Sequence, residues 1–206
     1  EAALIAKANR SKAPIKLVWT REDDTNAGYF RPMYFHRLKA GLDSNGKIIA
    51  WQHRIVGQSV LTDTDFAAFI ENGIDSTSVE GATSLPYNIA NFAVDLNTVE
   101  SQVPVLWWRS VGSTHTAHSV ETFMDQLAAA TGQDPLAFRL AHLGEDERYK
   151  GVLEMVADKA GWNTRQQDGK IKGIALHKSF GTYVAQVADL TVGDSGEYTV
   201  DKVVCA

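Results

Sequence analysis

The hydrophobic and polar positions of this chain alternate as in strands in its first half, repeat as in helices in its middle, and alternate again towards its end. Alternation or short apolar runs bounded by turn residues predict β-strands over 15–19, 33–42, 47–56, 92–98, 174–176, 183–192 and 197–204. Helical spacing with capping and breaking residues predicts helices over 1–9, 64–70, 117–130, a segment beginning at 134, and 150–159. Strands followed by helices and again by strands predict an α+β fold, with mixed or antiparallel sheets and a central helical run.

Turn and cap residues indicate how these elements are joined. Asn45-Gly46 between two strand candidates is the strongest short-range signal for a hairpin. Asp134-Pro135 predicts a helix start, because Asp caps the first N–H groups and Pro fits the first helical position. The polar segment 20–25, with its acidic run 22–24, is predicted to be a solvated turn, and 85–87 an exposed loop.

Composition and charge exclude several classes of protein. The 206 residues include 20 basic and 25 acidic side chains, a net charge of −5, which argues against a nucleic-acid binder. No apolar run has the length of a membrane span, and no signal-peptide pattern is present. The single cysteine, Cys205, excludes a disulfide, a thiolate zinc site or an iron–sulfur cluster within this chain, and its apolar strand predicts a buried structural role. The compartment stays open between bacterial cytoplasm and periplasm.

The two ends of the chain resemble the interior of regular elements. Residues 1–9 have the character of a helix tail and 198–206 that of a sheet strand. Natural domains seldom begin and end inside such elements, so we expect a piece of a longer polypeptide. The last strand is then expected to form a sheet edge that pairs with another copy of the chain.

Two adjacent tryptophans and an arginine, Trp107-Trp108-Arg109, directly precede a predicted helix. In a strand the two rings would face opposite sides, so the motif fits a buried strand with one ring in each of two layers. It fits equally well a wall of a ligand cleft, where an aromatic ring and Arg109 meet an anionic or planar group. The hydroxyls in 113–116 suit helix capping, and free backbone N–H groups at a helix start can bind an anion, which favours the cleft.

Other candidate groups give weaker indications of chemistry. Glu121 is predicted to form a structural ion pair, the alternatives being an anchor for Arg109 or a favourable charge at the helix start. His115 and His118 can share a helix face, but they lack a third ligand, so we interpret them as capping and surface groups and predict no metal site. Nucleophile elbows and phosphate-binding glycine loops are missing. The segment 177–183 fits either a ligand site or a plain transition from loop to strand.

Several segments, taken in order, resemble the molybdenum-binding subunit of the xanthine dehydrogenase and aldehyde oxidase family. The nearest branch is the isoquinoline 1-oxidoreductase β-subunit type, in which the motif of 107–112 stands where other members have Ala-Phe-Arg-Gly-Phe-Gly. The segments that carry the resemblance are 1–6, 15–23, 30–32, 36–43, 107–112, 134–140 and 179–188. The resemblance implies the large-subunit fold of the molybdenum hydroxylases.

The resemblance also implies roles for individual residues. Trp108 and Arg109 align with a step that lies beside the molybdenum pterin in the family. The residues expected to bind the cofactor are Trp108, Arg109, Ser110 and Gly112. Val111 aligns with an aromatic residue that packs on flat substrates, so its smaller side chain implies a differently shaped pocket. Phe180 and Tyr183 are expected to join Val111 in the substrate pocket, with Glu121 behind the cofactor wall.

The activity that the resemblance implies belongs to a longer protein. That protein would oxidise N-heteroaromatic compounds or aldehydes with oxygen from water, using molybdenum on a molybdopterin, expected in its cytosine dinucleotide form. Electrons would leave through an iron–sulfur small subunit to a downstream acceptor. The glutamate base of the family has no counterpart in this chain, so the chain alone is expected to be inactive and to hold no cofactor, with no catalytic residue of its own.

The domain assignment follows the same resemblance. Residues 1–143 are predicted to form the first part of the molybdopterin-binding region, and 144–206 the start of a truncated second part. The alternative function is a non-catalytic α+β binding module or degenerate homologue, in which the two tryptophans belong to the core. Exposure separates these hypotheses, because a cofactor half-site needs Trp107 or Trp108 partly exposed in a cleft, whereas a core module buries both.

Overall fold

The computed structural model describes residues 1–9, 13–164 and 169–206. Its helices are α1 (Ala2–Asn9), α2 (Arg21–Ala27), α3 (Ser76–Val79), α4 (Ser113–Ala130), α5 (Pro135–His142) and α6 (Glu147–Ala160), with a 3-10 helix at Ala67–Phe69. Its strands are β1 (Tyr34–Leu42), β2 (Ile48–Gly57), β3 (Asn91–Thr98), β4 (Lys170–Ser179), β5 (Thr182–Val192) and β6 (Tyr198–Cys205). Strands, a helical run and further strands follow one another along the chain, so the predicted α+β fold is confirmed.

The first sheet is mixed and has the order β1-β2-β3. β1 and β2 form the predicted antiparallel hairpin, whereas β3 runs parallel to β2. The hairpin turn is closed by Asp43, whose carboxylate accepts hydrogen bonds from the backbone N–H groups of Asn45 and Lys47, each at 2.9 Å. Gly46 follows at a φ of 79°, a left-handed conformation that glycine adopts without strain.

The second sheet, β4-β5-β6, is antiparallel throughout and places β5 at its centre. Helix α6 packs on it through Leu153 and Val156, which meet Leu176 and Val187 in a buried cluster. The helix ends at Gly161, whose φ of 61° gives the left-handed cap typical of helix termini. This layer of one helix on one sheet forms the core of the C-terminal part of the chain.

The long helix α4 covers the first sheet and also contacts the second. Met124 on α4 is fully buried with Trp51 of β2 and Phe138 of α5. Helix α5 begins at Asp134 as predicted, because that carboxylate caps the N–H groups of Leu136 and Ala137 at 3.0 and 2.9 Å. Helices α4 and α5 therefore lie between the two sheets in the chain and join their cores.

Two local predictions were wrong. The segment 15–19 forms no strand within the described part of the chain, since an alternating segment needs a partner strand to form a sheet. The segment 20–25 is helical rather than a turn. The Thr20 hydroxyl accepts a hydrogen bond from the Asp23 N–H at 3.2 Å, and the Asp23 carboxylate accepts one from the Thr20 N–H, also at 3.2 Å. This capping box, with acids in the first turn, favours helix α2.

Burial corrects two further expectations. Tyr87, placed in an exposed loop by its neighbouring proline, is buried because its hydroxyl reaches a carboxylate inside the molecule. Cys205, expected to be buried, is exposed, because β6 lies at the edge of its sheet. In the parts of the chain that the structure describes, none of the helices combines the length and hydrophobicity needed to cross a membrane.

The edge strand β6 leads to a first testable prediction. Among the described residues it pairs with β5 alone, and Tyr198, Val200 and Val203 are 70%, 56% and 51% exposed. Unpaired backbone groups beside exposed apolar side chains favour pairing with a second copy. We therefore expect light scattering over a concentration series to show self-association, and Val200→Lys to reduce it.

Gln186→Lys is the matched control for this prediction. It adds a lysine to an exposed position of the central strand β5, where no free edge exists, and should leave self-association unchanged. A wild-type chain that remains monomeric at every concentration would contradict the prediction.

Candidate functional site

The segment 107–112 is a strained loop between a short bridge and helix α4. Val105 forms an isolated parallel bridge with Phe30, which fixes the entry of the loop. Ser110 and Val111 then adopt left-handed φ values of 72° and 39°. Such conformations cost about 1–3 kcal/mol for a residue other than glycine and are least favourable for a β-branched one. Their succession shows that surrounding contacts hold the loop in a defined shape.

The two tryptophans do not form a core. Trp108 is 48% exposed, and its Nε1–H donates to the Tyr29 carbonyl at 3.1 Å. The Arg31 guanidinium lies over the Trp108 ring at 5.7 Å. Trp107 is partly buried and meets the edge of Phe66 at 5.4 Å between ring centroids. The interpretation as a two-sided buried strand is therefore wrong, and so is the alternative that the pair belongs to the core.

Arg31 holds the loop to the start of α4. Its Nη1 donates to the Arg109 carbonyl at 3.1 Å and to the Thr114 hydroxyl at 2.5 Å. The Thr114 hydroxyl in turn donates to the same carbonyl at 3.1 Å. The Arg109 side chain is exposed, so the backbone of this residue is fixed while its guanidinium faces outward. Arg31 lies in the segment 30–32 that carries part of the family resemblance, but no local pattern indicates this contact.

The backbone N–H groups at the start of α4 have no side-chain cap from the N-cap residue, Gly112. A Cβ atom on Gly112 would lie 2.0 Å from the Thr77 carbonyl, so only glycine fits. Gly112 is also the N-cap of α4 and makes no side-chain cap. The expected capping hydroxyls serve elsewhere, since the Thr116 hydroxyl lies 2.6 Å from the Glu80 carbonyl. The buried Ser113 hydroxyl has no partner among the residues that the structure describes.

Two cavities meet at this loop. A small cavity of about 10 Å³ has room for one water-sized group and is lined by Arg31, Pro32, Tyr34, Val60, Thr77, Leu106, Trp107, Trp108, Val111, Gly112 and His115. A larger one of about 670 Å³, here named the aromatic cleft, is lined by Leu61, Phe66, Phe69, Glu71, Asn72, Ile74, Ser76, Thr77 and Trp107. Trp107 and Thr77 line both, so they separate the two spaces.

Three histidines form a hydrogen-bonded chain that runs from the first sheet to α4. His53 Nε2 lies 2.8 Å from His36 Nδ1, and His36 Nε2 lies 3.0 Å from His115 Nδ1. The ring of His115 stacks on Tyr34 with 3.7 Å between centroids. The predicted hairpin could have revealed half of this chain, since His36 and His53 are diagonal neighbours in its register. Their link to His115 is a tertiary contact that no local pattern predicts.

The three imidazoles are held in their neutral form. Burial and, to a smaller extent, the neighbouring His36 lower the pKa of His53 to about 4, although Asp95 opposes this. Burial likewise lowers the pKa of His115 to about 3, with contributions from His36, His53 and Arg31. The pKa of His36 is also lowered, first by burial and then by His118. At neutral pH the chain of imidazoles therefore carries no charge.

Glu121 forms the predicted structural ion pair, but with a partner that the sequence did not indicate. Its carboxylate accepts from Arg139 Nε at 2.9 Å, from the Tyr87 hydroxyl at 2.6 Å and from the Leu176 N–H at 2.8 Å. It lies in the middle of α4, so the expected contacts with Arg109 and with the helix start do not occur. Burial raises the pKa of Glu121, and its three donors oppose this. Glu121 therefore joins α4 to α5, to β4 and to the Tyr87 loop.

Phe180 and Tyr183 lie at the turn between β4 and β5 rather than at the loop. Phe180 is 77% exposed with a left-handed φ of 48°. The Tyr183 hydroxyl donates to Asp146 at 2.5 Å and accepts from Lys178 at 2.8 Å. Neither residue lines either cavity at the loop. The three residues expected in the substrate pocket therefore do not lie together, and only Val111 lies beside Trp107 and Trp108.

His115 and His118 were also considered as a pair of metal ligands on one helix face. His118 is exposed on α4, whereas His115 belongs to the chain described above, so the two do not form a pair. Over residues 1–9, 13–164 and 169–206, no group of three or more His, Cys, Asp or Glu side chains is arranged to hold a metal ion.

Comparison with known proteins assigns the chain to a family. Residues 1–143 match the molybdopterin cofactor-binding domain family. The chain is 28% identical over 199 residues to the β-subunit of isoquinoline 1-oxidoreductase from Brevundimonas diminuta, covering 93% of the chain and 25% of that protein. It is 27% identical over 232 residues to a subunit of nicotinate dehydrogenase from Pseudomonas putida, covering 99% of the chain and 19% of that protein. The chain thus spans a quarter or less of these curated relatives.

A solved structure supports the fold. Quinoline 2-oxidoreductase from Pseudomonas putida 86 superposes on 96% of this chain and 29% of its own with a TM-score of 0.64. The sequences are 16% identical, so this likeness concerns the fold alone. Since the family match covers more than half of the residues, the chain belongs to the molybdopterin cofactor-binding domain family of the molybdenum hydroxylases.

Proposed function

We propose that this chain forms a wall of the molybdenum cofactor site in a molybdenum hydroxylase that oxidises N-heteroaromatic compounds or aldehydes. The observation that carries the proposal is the strained loop 108–112, which presents a half-exposed indole and an exposed guanidinium at the start of α4. Strain in a loop held by its surroundings is typical of ligand-binding sites. The bound cofactor would supply the redox chemistry, with water as the source of oxygen.

The residues of the loop suit an anionic, planar cofactor. The side chain of Arg109 offers charge and bidentate donors for a phosphate, and the indole of Trp108 offers a flat face. The start of α4 adds the backbone N–H of Ser113 and a buried hydroxyl that has no partner in the described part of the chain. Gly112 allows the backbone to approach closely. Trp108, Arg109, Ser110 and Gly112 are therefore proposed to hold the cofactor.

The aromatic cleft is proposed as the substrate-side space of the same site. It is lined by Phe66, Phe69 and Trp107 and adjoins the loop through Trp107. A cleft walled by aromatic rings binds flat apolar compounds such as N-heteroaromatics. Val111 contributes from the small cavity, where a larger aromatic residue would fill the space. Phe180 and Tyr183 lie elsewhere in this chain and would reach substrate only through contacts with further parts of the protein.

The names of the relatives support the wider proposal. Isoquinoline 1-oxidoreductase and nicotinate dehydrogenase act, by their names, on N-heteroaromatic compounds, and both relatives are named as subunits of larger enzymes. We therefore propose an iron–sulfur small subunit and a downstream electron acceptor as partners. We also propose the cytosine dinucleotide form of the pterin, and that residues 144–206 begin a second part of the cofactor-binding region.

The proposal is tested on the complete protein purified with its partner subunit. We expect molybdenum by elemental analysis and a pterin dinucleotide whose acid hydrolysis releases cytidine monophosphate. Arg109→Ala is expected to lower the molybdenum content severalfold, because the proposed phosphate contact is lost. Arg37→Ala, which removes an exposed arginine on β1, is the matched control and should leave the content unchanged.

Two results would contradict the proposal. A fully assembled, folded preparation without molybdenum and pterin would favour the non-catalytic binding module. Equal molybdenum content in the Arg109 and Arg37 variants would show that the loop does not bind the cofactor. We further expect the 206-residue chain by itself to hold no cofactor and to oxidise neither an aldehyde nor an N-heteroaromatic compound with an artificial electron acceptor.

A further inference from the structure

The histidine chain has a direction that follows from the chemistry of imidazole. A neutral imidazole has one N–H donor and one nitrogen lone pair. His36 uses both ring nitrogens, so it donates to one neighbour and accepts from the other. Both hydrogen bonds of the chain therefore point the same way. One terminal ring is left with an N–H that has no partner in the chain, and the other with a lone pair.

The small cavity beside His115 decides which end carries the N–H. The free nitrogens are His53 Nδ1 and His115 Nε2, and both lack a partner among the described residues. Both nitrogens are buried, but His53 is fully buried on β2 of the first sheet, whereas His115 lines the small cavity beside Trp107 and Gly112. A buried N–H without a partner is rarer and costlier than an unused lone pair. The N–H therefore belongs at His115, where the cavity has room for an acceptor.

We infer that His53, His36 and His115 form a directional chain that presents the Nε2–H of a neutral His115 to one oxygen of an anionic ligand in the small cavity. The cavity has room for a single water-sized group, so it accepts one oxygen of a larger ligand. Arg31 supplies a positive charge at the same cavity, and none of its described lining residues is acidic. The lowered pKa of His115 agrees with a donor that stays neutral.

This donor site deepens the proposed function, because Trp108, Val111 and Gly112 of the proposed cofactor and substrate site line the same cavity. It adds His115, which the proposed function does not use. It also gives the three hydrogen-bonded imidazoles a role inside the molecule. Each ring fixes the tautomer of the next, so His115 donates without a carboxylate beside it. A neutral donor binds an oxyanion without the cost of burying a second cation next to Arg31.

The tautomers provide the first test. The 206-residue chain, labelled with ¹⁵N in its histidines, is studied by long-range proton–nitrogen correlation NMR near pH 7.5. We expect His53, His36 and His115 all to be protonated at Nε2 and unprotonated at Nδ1. Protonation at Nδ1 in these rings would reverse the chain and overturn the inference. This test measures the histidine tautomers in the absence of cofactor, so its outcome does not depend on the proposed function.

Binding of an oxyanion provides the second test. Titration with inorganic phosphate, against chloride at equal ionic strength, is expected to shift the His115 resonances saturably and leave those of the exposed His118 unchanged. His36→Leu should raise the phosphate dissociation constant about tenfold, because His115 loses its fixed tautomer. Arg31→Gln should also weaken binding, whereas His118→Gln should not.

The outcomes of the second test are decisive in either direction. A saturable shift at His115 that weakens in the His36 and Arg31 variants would establish the donor site. The absence of any shift at His115, or equal affinity in wild type and His36→Leu, would show that the cavity holds water only and would overturn the anionic ligand. If His36→Leu fails to fold, the wild-type tautomers and the Arg31 variant still decide the matter.

Discussion

Replacing Glu121 with leucine is expected to lower the free energy of unfolding by about 3–5 kcal/mol. Glu121 is 5% exposed, and its carboxylate accepts hydrogen bonds from Arg139, Tyr87 and the Leu176 backbone. Its loss leaves the fully buried Arg139 with the half-exposed Asp125 as its remaining ionic partner in the described part of the chain. A buried charge without adequate compensation costs far more than the pair contributes when intact.

The same substitution disconnects several elements at once. Arg139 on α5 loses its contact with the Glu121 carboxylate and keeps the hydrogen bond from its Nη2 to the backbone carbonyl of residue 121 at 2.9 Å. Leu176 on β4 and Tyr87 in the loop before β3 are linked through the Glu121 carboxylate. We therefore expect the urea transition of Glu121→Leu to broaden as well as to move to lower urea, because the two sheets lose a shared anchor.

A double-mutant cycle measures the ion pair itself. Removing both charges in Glu121→Leu with Arg139→Met should recover much of the lost stability, because no uncompensated charge remains. Asp95→Leu is the matched control, since it breaks the exposed pair of Arg54 and Asp95 and should change stability far less. Additive effects of the Glu121 and Arg139 substitutions would contradict a coupled pair.

Local signals explain why much of the fold could be predicted. The hairpin around Gly46 and the start of α5 at Asp134 are set by residues within a few positions of each other, and both were predicted correctly. The segment 20–25 failed because its acidic run was interpreted by charge alone, although Thr20 and Asp23 have the spacing of a capping box. The parallel pairing of β3 with β2 depends on a crossover that no local pattern specifies.

The candidate site was predictable only where its residues are adjacent in sequence. The loop 107–112 was found through its unusual dipeptide, and its exposure agrees with the predicted cleft rather than with a buried strand. Arg31 and Phe66 reach this loop from more than 40 positions away. Likewise, Arg139 rather than Arg109 pairs with Glu121, because packing of α5 on α4 decides the partner. Such choices arise from tertiary packing, to which spacing along the chain gives no access.

Acid is expected to destabilise this chain through its histidines, with His53 contributing about 3 kcal/mol between pH 7 and pH 4. The ordinary pKa of histidine, 6.5, applies to the unfolded chain, whereas burial and His36 lower that of folded His53 to about 4. Below pH 6.5 the unfolded chain therefore binds a proton that the folded chain does not. Stability is fully present above pH 6.5 and falls as the pH decreases towards 4, where the folded form also begins to bind the proton.

Urea unfolding of wild type and His53→Leu at a series of pH values measures this contribution. The groups that face the histidine chain are Tyr34 and Arg31 beside His115, His118 beside His36, and Asp95 beside His53, of which only Asp95 raises the pKa of His53. These groups and the carboxylates elsewhere are common to both proteins, so the difference between the two curves isolates the contribution of His53.

We expect the difference in the free energy of unfolding between wild type and His53→Leu to change by about 3 kcal/mol from pH 7 to pH 4. His118→Gln removes an exposed histidine whose charge lowers the pKa of His36, and it should change the wild-type curve far less than His53→Leu does. Parallel curves for wild type and His53→Leu would mean that His53 is protonated equally in the folded and unfolded chain, which its burial beside His36 makes unfavourable.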